Sequence, residues 1–319
     1  ENILKEPRTN EYARVDKAAA WFLLSQMYLN AEVYTGTPQW ASCAAYCEKI
    51  INAGYSIHNN SAGGQYSPYQ ELFLADNDQT CTDEIIMPLA CDGLNTKSYG
   101  NMTFFVHAFI GGDMNADKFG VNGGWGGYRA TKAFTDIYSD TLNDGRFIFY
   151  TEGQKQLIDT VGLFSHGWAQ SKYKNVTSTG EDGSDPNGDF VDTDFPLMRL
   201  AEVYLMYAEC AINGAGDMGT ASTYINELRE RAYGNSNGNI TSGDIDADFI
   251  LDERGRELSW EGKRRTDLVR HGKFTGGAKI WEFKGDVPAG APVADHLNIY
   301  PLSADDLVAN PNLTQNPGY

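Results

Sequence analysis

Apolar residues recur near a 3.6-residue period in several stretches of this chain, and each such stretch predicts a helix. In 11–33, Val15, Ala18, Trp21, Phe22, Leu24, Tyr28 and Leu29 fall on that period. Gly36 and Pro38 break it, and a second helix is predicted over 40–53, stopped by Gly54. Two helices joined by a short turn, in a unit of about 34 residues, have the layout of a tetratricopeptide repeat. A similar pair lies downstream. A helix is predicted over 195–212, a turn over 213–217 and a second helix over 220–233, giving a hairpin at 195–233. Ala201, Ala208 and Ala211 are small enough to let a partner helix approach closely. A further helix, or two abutting ones, is predicted over 246–272.

Between the hairpins the pattern changes. Residues 60–192 are rich in Gly, Asn and Asp, with short apolar runs at 84–89 and 104–106. This predicts an irregular region of short strands and short helices. Residues 175–193 read as an exposed loop, and 235–240 as another. At the end of the chain Pro301, Pro311 and Pro317 deny backbone donors, while Leu302, Leu307 and Leu313 are expected to anchor the tail to a core. The fold class is mainly α: tetratricopeptide-like hairpins packed against a loop-rich half with short strands. Fewer than three repeats make a marginal solenoid, so the hairpins are expected to stack on another body.

Composition narrows the function. A chain of 319 residues with six Trp, 18 Tyr and 15 Phe is a folded globular chain. Its 25 basic against 43 acidic side chains give a formal net charge of −18, which repels nucleic acid and anionic lipid. No apolar run approaches the length of a membrane span. The first residue is Glu, and no signal peptide is visible, so a processed or truncated chain is expected, which a membrane anchor could have preceded. Cys43, Cys47, Cys81, Cys91 and Cys210 include no CxxC pair, and buried free thiols are the expected state.

Three constellations could carry chemistry. Glu253, Glu257 and Glu261 share one face if their helix is continuous, and paired carboxylates would suit glycoside hydrolysis. Arg254, Arg256, Arg264, Arg265 and Arg270 are interleaved with them, so an ion-pair network that keeps the acids charged is the competing reading. The second constellation joins 99–107, 111–114 and 123–129. Trp125 lies between two glycine pairs, which leaves no bulky neighbour in sequence to bury it. A flat aromatic face suits the C–H surface of a sugar ring. Tyr99 and Tyr128 add rings, and Asn101, His107, Asp113 and Arg129 could bond sugar hydroxyls. The alternative is that Trp125 plugs its loop into the core. Phosphate binding is disfavoured because no GxxxxGK[ST] occurs. The third is Asp76 and Asp78 with Asn77 and Gln79, either a calcium site or a simple Asx-type turn.

Several segments resemble the SusD/RagB family. They are YARVDKAAAWFLLSQMYLNAEVYTGTPQW at 12–40, the Tyr99 and Trp125 region, the hairpin at 195–233, LDERGRELSWEGKRRTDLVRHGKF at 251–274 and YPLSADDLVANPNLTQNPGY at 300–319. The first and middle segments look most like the starch-binding member. The resemblance implies one SusD-like domain over 1–319, with hairpins at 11–54 and 195–233, a loop-rich glycan-binding region at 60–192 and a C-terminal helix and signature tail at 246–319. The family's N-terminal part, with its lipidated cysteine and first repeats, is expected to be missing. The resemblance further implies a surface lipoprotein of the Bacteroidetes outer membrane that lids a SusC-type TonB-dependent transporter. Such a protein binds oligosaccharide, here a maltooligosaccharide or starch, and passes it on uncleaved. It needs no cofactor beyond a structural calcium ion at the position of Asp76. Tyr99 and Trp125 would belong to an aromatic arc that follows an α-1,4-glucan. A glycoside hydrolase using Glu257 and Glu261, or an interaction scaffold without sugar binding, are the alternatives.

Overall fold

The computed structural model describes residues 3–319. Its main elements are α1 (Lys17–Leu29), α2 (Trp40–Ile51), β1 (Ile85–Leu89), α3 (Asn101–Ala108), β2 (Arg129–Ala130), β3 (Phe149–Tyr150), β4 (Trp168–Gln170), β5 (Phe195–Arg199), α4 (Leu200–Ile212), α5 (Met218–Tyr233), α6 (Ala247–Glu257) and α7 (Arg264–Arg270). Single helical turns and 3-10 segments fill the connections. The chain is mainly helical, with few and short strands.

The helices start where polar caps allow. The Asp16 carboxylate accepts from Ala19 N–H, Asp217 from Thr220 N–H and Asp246 from Phe249 N–H. Each satisfies a backbone donor that the first turn leaves free. Helix α1 packs on α2, α2 on α4, and α4 on α5, so the two hairpins form one continuous stack. Their shared core holds Phe22, Ile50, Leu205, Met206, Ile225 and Leu228. Helix α4 lies at its centre and is buried almost all round, with Ala201, Ala208 and Ala211 in close contact positions. Cys43, Cys47, Cys81 and Cys210 are buried free thiols, while Cys91 is half-buried.

A second core underlies the loop-rich half. It gathers Tyr69, Phe73, Val106, Phe109, Ile110 and Tyr173, with Phe105 and Trp260 packed against them. The strands form two small antiparallel sheets, β1 with β5 and a three-stranded β2–β4–β3. In the first, Pro88 faces Pro196 and the register slips twice. Proline has no N–H to donate, so this ladder stays short.

The structure corrects three sequence expectations and, over 246–272, selects two helices from the alternatives of one or two. Residues 195–199 are a strand rather than the start of a helix, and helix begins only at Leu200. Residues 175–193 are an exposed loop only in part: 179–182, 184, 186 and 187 are exposed, whereas Asn175, Ser178, Asp185, Val191 and Thr193 are buried. Polar side chains pin that segment. Asn175 Nδ2 donates 3.0 Å to the Gly120 carbonyl, and the Asp185 carboxylate accepts from Asp189 and Phe190 N–H. Helices α6 and α7 are separate, with Trp260 between them at φ +57°. That left-handed conformation is uncommon for a bulky residue and ends any continuous helical face. Finally, Leu302 and Leu307 are only half-buried and Leu313 is exposed. The tail is held by polar contacts instead, such as Gln315 to both backbone groups of Leu302 and Asn316 Nδ2 to the Tyr300 carbonyl at 2.7 Å.

Buried ion pairs clamp the two cores together. Arg199, at the junction of β5 and α4, donates to Glu84 Oε1 at 3.0 Å, Glu257 Oε1 at 2.7 Å, and both carboxylate oxygens of Glu261 at 2.7 and 2.8 Å. Arg231 of α5 bonds Glu84 and Glu257. Arg146 bonds Asp144 and Glu253, each at 2.7 Å, and Lys172 bonds Glu261 at 2.6 Å. Every one of these side chains is almost wholly removed from solvent. In such a setting each unpaired charge is costly, so the members stabilise one another only as a set.

Candidate functional site

Tyr99, Phe104, Trp125 and Tyr128 come together on an open face of the loop-rich half. Ring centroids run from Phe190 to Tyr99 at 5.2 Å, Tyr99 to Trp125 at 6.4 Å, Trp125 to Phe104 at 5.8 Å, and Phe104 to Tyr128 at 5.5 Å. Tyr99 is 64% exposed, Trp125 47% and Tyr128 42%. Tyr128 in turn stacks at 5.0 Å on Trp260, which carries the row down to the second core.

Local backbone bonding explains why Trp125 stands out. Helix α3 leaves its last carbonyls without intrahelical partners. The glycine-rich loop supplies them: Trp125 N–H donates to the His107 carbonyl at 2.9 Å, Gly126 to Ile110 at 2.9 Å, and Gly127 and Tyr128 both to Ala108 at 2.8 Å. The loop therefore lies flat against the end of α3. Gly124 is required for this approach, because a Cβ there would run into the Ile110 carbonyl. In sequence, the flanking glycines leave the indole without bulky neighbours. Their actual role is close packing, and the indole is backed by the His107 ring, stacked at 5.1 Å and 17°. The structure thus presents Trp125 rather than plugging it into the core. Gly124→Ala is expected to lift this loop from α3 and cost about 1–3 kcal/mol, readable as a lower midpoint of urea unfolding. An unchanged midpoint would mean that the loop tolerates displacement.

The polar candidates separate into two groups. Arg129 is committed elsewhere: its guanidinium donates to the carbonyls of Leu163 at 2.5 Å, His166 at 2.6 Å and Val161 at 2.7 Å. It fastens the 161–166 loop and has little left for a ligand. His107 is buried, with Nδ1 2.8 Å from the Gly123 carbonyl oxygen and Nε2 3.1 Å from that of Asp189. It supports Trp125 instead of reaching solvent. Asn101 is exposed, yet its Oδ1 accepts from Thr103 N–H at 3.0 Å, a donor of the first turn of α3. Its Nδ2, 3.4 Å from the Thr96 carbonyl, is the part best placed for a ligand. Asp113 is exposed. Sequence reasoning did not single out Phe190 or Lys97, whose ammonium lies 5.5 Å from the Phe190 centroid. Phe104 and Trp260 sit in segments already noted, but their ring contacts could not be read from spacing.

Asp76 gives its carboxylate to Ser178, which donates through N–H at 2.9 Å and Oγ at 2.7 Å. It ties the 175–184 segment to the turn at Asn77. Burial pushes the Asp78 carboxyl up, and the negative charge of Asp76 adds to this. Calcium takes about six to eight oxygen ligands. Among the described residues no cluster of three or more His, Cys, Asp or Glu side chains is poised to hold a metal. This donor set does not fit a calcium cage.

The carboxylates at 253, 257 and 261 are in the buried clamp. Burial opposes ionisation of Glu257, but Arg231, Arg199 and Arg146 outweigh it and hold its carboxyl down to about 2. Burial likewise opposes ionisation of Glu261, and Arg199 and Lys172 bring its carboxyl below the usual range. Glu257 and Glu261 are both buried, so neither carboxylate is open to solvent.

A tetratricopeptide-like helical scaffold carrying an open aromatic face is the class of protein that fold and site define. The SusD family model matches residues 164–319. The chain is 32% identical to Starch-binding protein SusD of Bacteroides thetaiotaomicron, over 98% of this chain and 62% of that one. It is 35% identical to SusD-like protein P2 of Formosa agariphila, over 42% of this chain and 27% of that one. Among solved structures, surface glycan-binding protein A from Bacteroides thetaiotaomicron superposes with a TM-score of 0.74 at 20% identity, covering 99% of this chain and 67% of that one. The match to the SusD family thus covers the C-terminal half of the chain, and the likeness to a SusD protein runs through nearly all of it. The chain spans less than two thirds of the length of the starch-binding relative.

Proposed function

We propose that this chain binds neutral oligosaccharide, α-1,4-glucan first, on the Phe190–Tyr99–Trp125–Phe104–Tyr128 face, without cleaving it. The observation that carries this reading is the half-exposed Trp125, held in place by His107 and the end of α3. Stacking a pyranose on such a face removes apolar surface from water and meets the ring's negative π-cloud with C–H groups. The rings succeed one another, so several sugar units find platforms along one chain. Lys97 and the Asn101 amide stand ready as hydrogen-bond donors at the Tyr99 end. The likeness to a relative named as starch-binding supports glucan as the first ligand to try. The net charge of −18 suits a neutral sugar better than an anionic one. The same reading places the protein at the outer-membrane surface as a lipid-anchored subunit that hands its ligand to a SusC-type transporter. Among the described residues no helix is long and apolar enough to cross a membrane.

Isothermal titration with maltoheptaose, beside laminarihexaose, tests the binding, and chromatography of the recovered sugar tests for cleavage. Saturable micromolar-to-millimolar binding of maltoheptaose, recovered intact, is the expected result. Shorter products, or no saturable binding of either sugar, would overturn the proposal.

A further inference from the structure

We propose a second saccharide-binding cleft, distinct from the aromatic face, between residues 157–159 and the segment at 280–289. It rests on the reading that this chain binds glycans. A cavity of ≈ 500 Å³ opens there, lined by Lys132, Asp136, Leu157, Asp159, Trp281 and Glu282 among others. Its wall and its polar groups have the chemistry that sugar recognition requires.

Trp281 supplies the platform. The Lys284 ammonium lies 4.2 Å from its ring centroid and is itself fixed by donating to the Lys279 carbonyl at 2.7 Å. The indole is thereby held in position as a half-buried wall of the cavity. Leu157 and Ile280 extend the apolar surface beside it.

Glu282 supplies the demand for a ligand. Its Oε2 is buried and accepts no hydrogen bond among the described residues. A buried carboxylate oxygen without a donor is costly, and because Glu282 also lines the cavity, turning its carboxylate toward the cleft would let this oxygen accept from a sugar hydroxyl. The other charges of the cleft are already matched. Lys132 pairs with Asp136, Lys155 pairs with Asp159, and Gln156 Nε2 donates to Asp136 Oδ1 at 2.9 Å. A cleft with paired charges, one free acceptor and an aromatic wall fits a neutral polyhydroxyl ligand better than an ion. It also lies close along the chain to the first face: Tyr128 belongs to the face, β2 follows, and Lys132 enters the cleft.

Maltoheptaose and laminarihexaose titrations of the whole chain, of Trp125→Ala, Trp281→Ala, Glu282→Gln and of the Trp125→Ala/Trp281→Ala pair test this. Wild type is expected to show two binding events. Trp125→Ala should keep one of them, which Trp281→Ala then weakens by about tenfold. Glu282→Gln should weaken the same event by about fivefold; it keeps the shape of the side chain and decides the matter if Trp281→Ala unfolds. If Trp125→Ala alone abolishes all binding, or Trp281→Ala and Glu282→Gln change nothing, the cleft is overturned while the aromatic face stands. Binding lost in Trp281→Ala yet unaffected by Trp125→Ala supports the cleft and removes the face. A wild type that binds neither sugar overturns both.

Discussion

Arg199→Ala is expected to destabilise the fold by about 3–5 kcal/mol, measured by urea unfolding at neutral pH. The guanidinium serves three carboxylates at once, Glu84, Glu257 and Glu261, and also donates to the Glu257 carbonyl at 2.8 Å. Alanine would leave those acids with Arg231, Arg146 and Lys172 as their remaining cations. Water cannot reach the site to compensate. The loss should therefore exceed that of any exposed pair, such as Lys273–Asp248, where about 0–1 kcal/mol is the rule. The pH profile adds a second check. The Glu257 carboxyl is held at about 2, below its ordinary value of 4.5. A depressed carboxyl contributes stability that is complete above the unfolded value and is lost as pH falls through the folded one. Wild type should thus lose stability between roughly pH 4.5 and 2, and Arg199→Ala should show a shallower loss across the same window. A variant within about 1 kcal/mol of wild type would mean that the neighbouring cations suffice.

Trp125→Ala is expected to weaken glucan binding by about 1–3 kcal/mol, roughly ten- to a hundredfold in Kd. The ring is central in the row, in contact with both Tyr99 and Phe104, so its loss interrupts the platform rather than trimming an end. Because it is half-exposed, the unfolding midpoint should move little. Trp125→Phe, which keeps a smaller flat face, should fall between the two. Affinity unchanged in the alanine variant would place the sugar somewhere other than this face.

The helical half could be read from sequence because its physics is local. Ala18, Phe22 and Leu29 keep a period that only a helix satisfies, whereas Val15, expected in the same helix, lies before its Asp16 cap and is exposed; Gly36 caps the short helix Ala31–Thr35, and Gly54 lies three residues past Ile51. The strand at 195–199 escaped notice because Pro196 and Met198 alternate inside a longer apolar run, and its partner is more than a hundred residues away. The segment at 175–193 has the composition of a solvated loop, yet Asn175, Asp185 and Asp192 turn their polar atoms inward to backbone groups. Composition does not say which way a polar side chain points. The same holds in the candidate site. Tyr99, Trp125 and Tyr128 were found by ring type and neighbouring glycines, but Arg129 and His107, equally near in sequence, face inward to carbonyls. Phe190 joins the row from a distant segment, and no spacing rule predicts that meeting.

The separation between the charged clamp and the exposed rings has a consequence for how such a surface could diversify. Tyr99, Phe104, Trp125 and Phe190 hang on loops and on one short helix, whereas Arg199, Arg231, Glu257 and Glu261 are buried, and Trp260, next in sequence to Glu261, stacks on Tyr128 and packs on Phe105 of the second core. If the rings bind sugar as proposed, exchanging an outer one would alter which sugar geometry is matched without uncovering a charge. Ligand preference can drift from one descendant to the next while the frame stays intact, with Tyr128 and Trp260 as the hinge point where a change of taste would first be felt as a change of architecture.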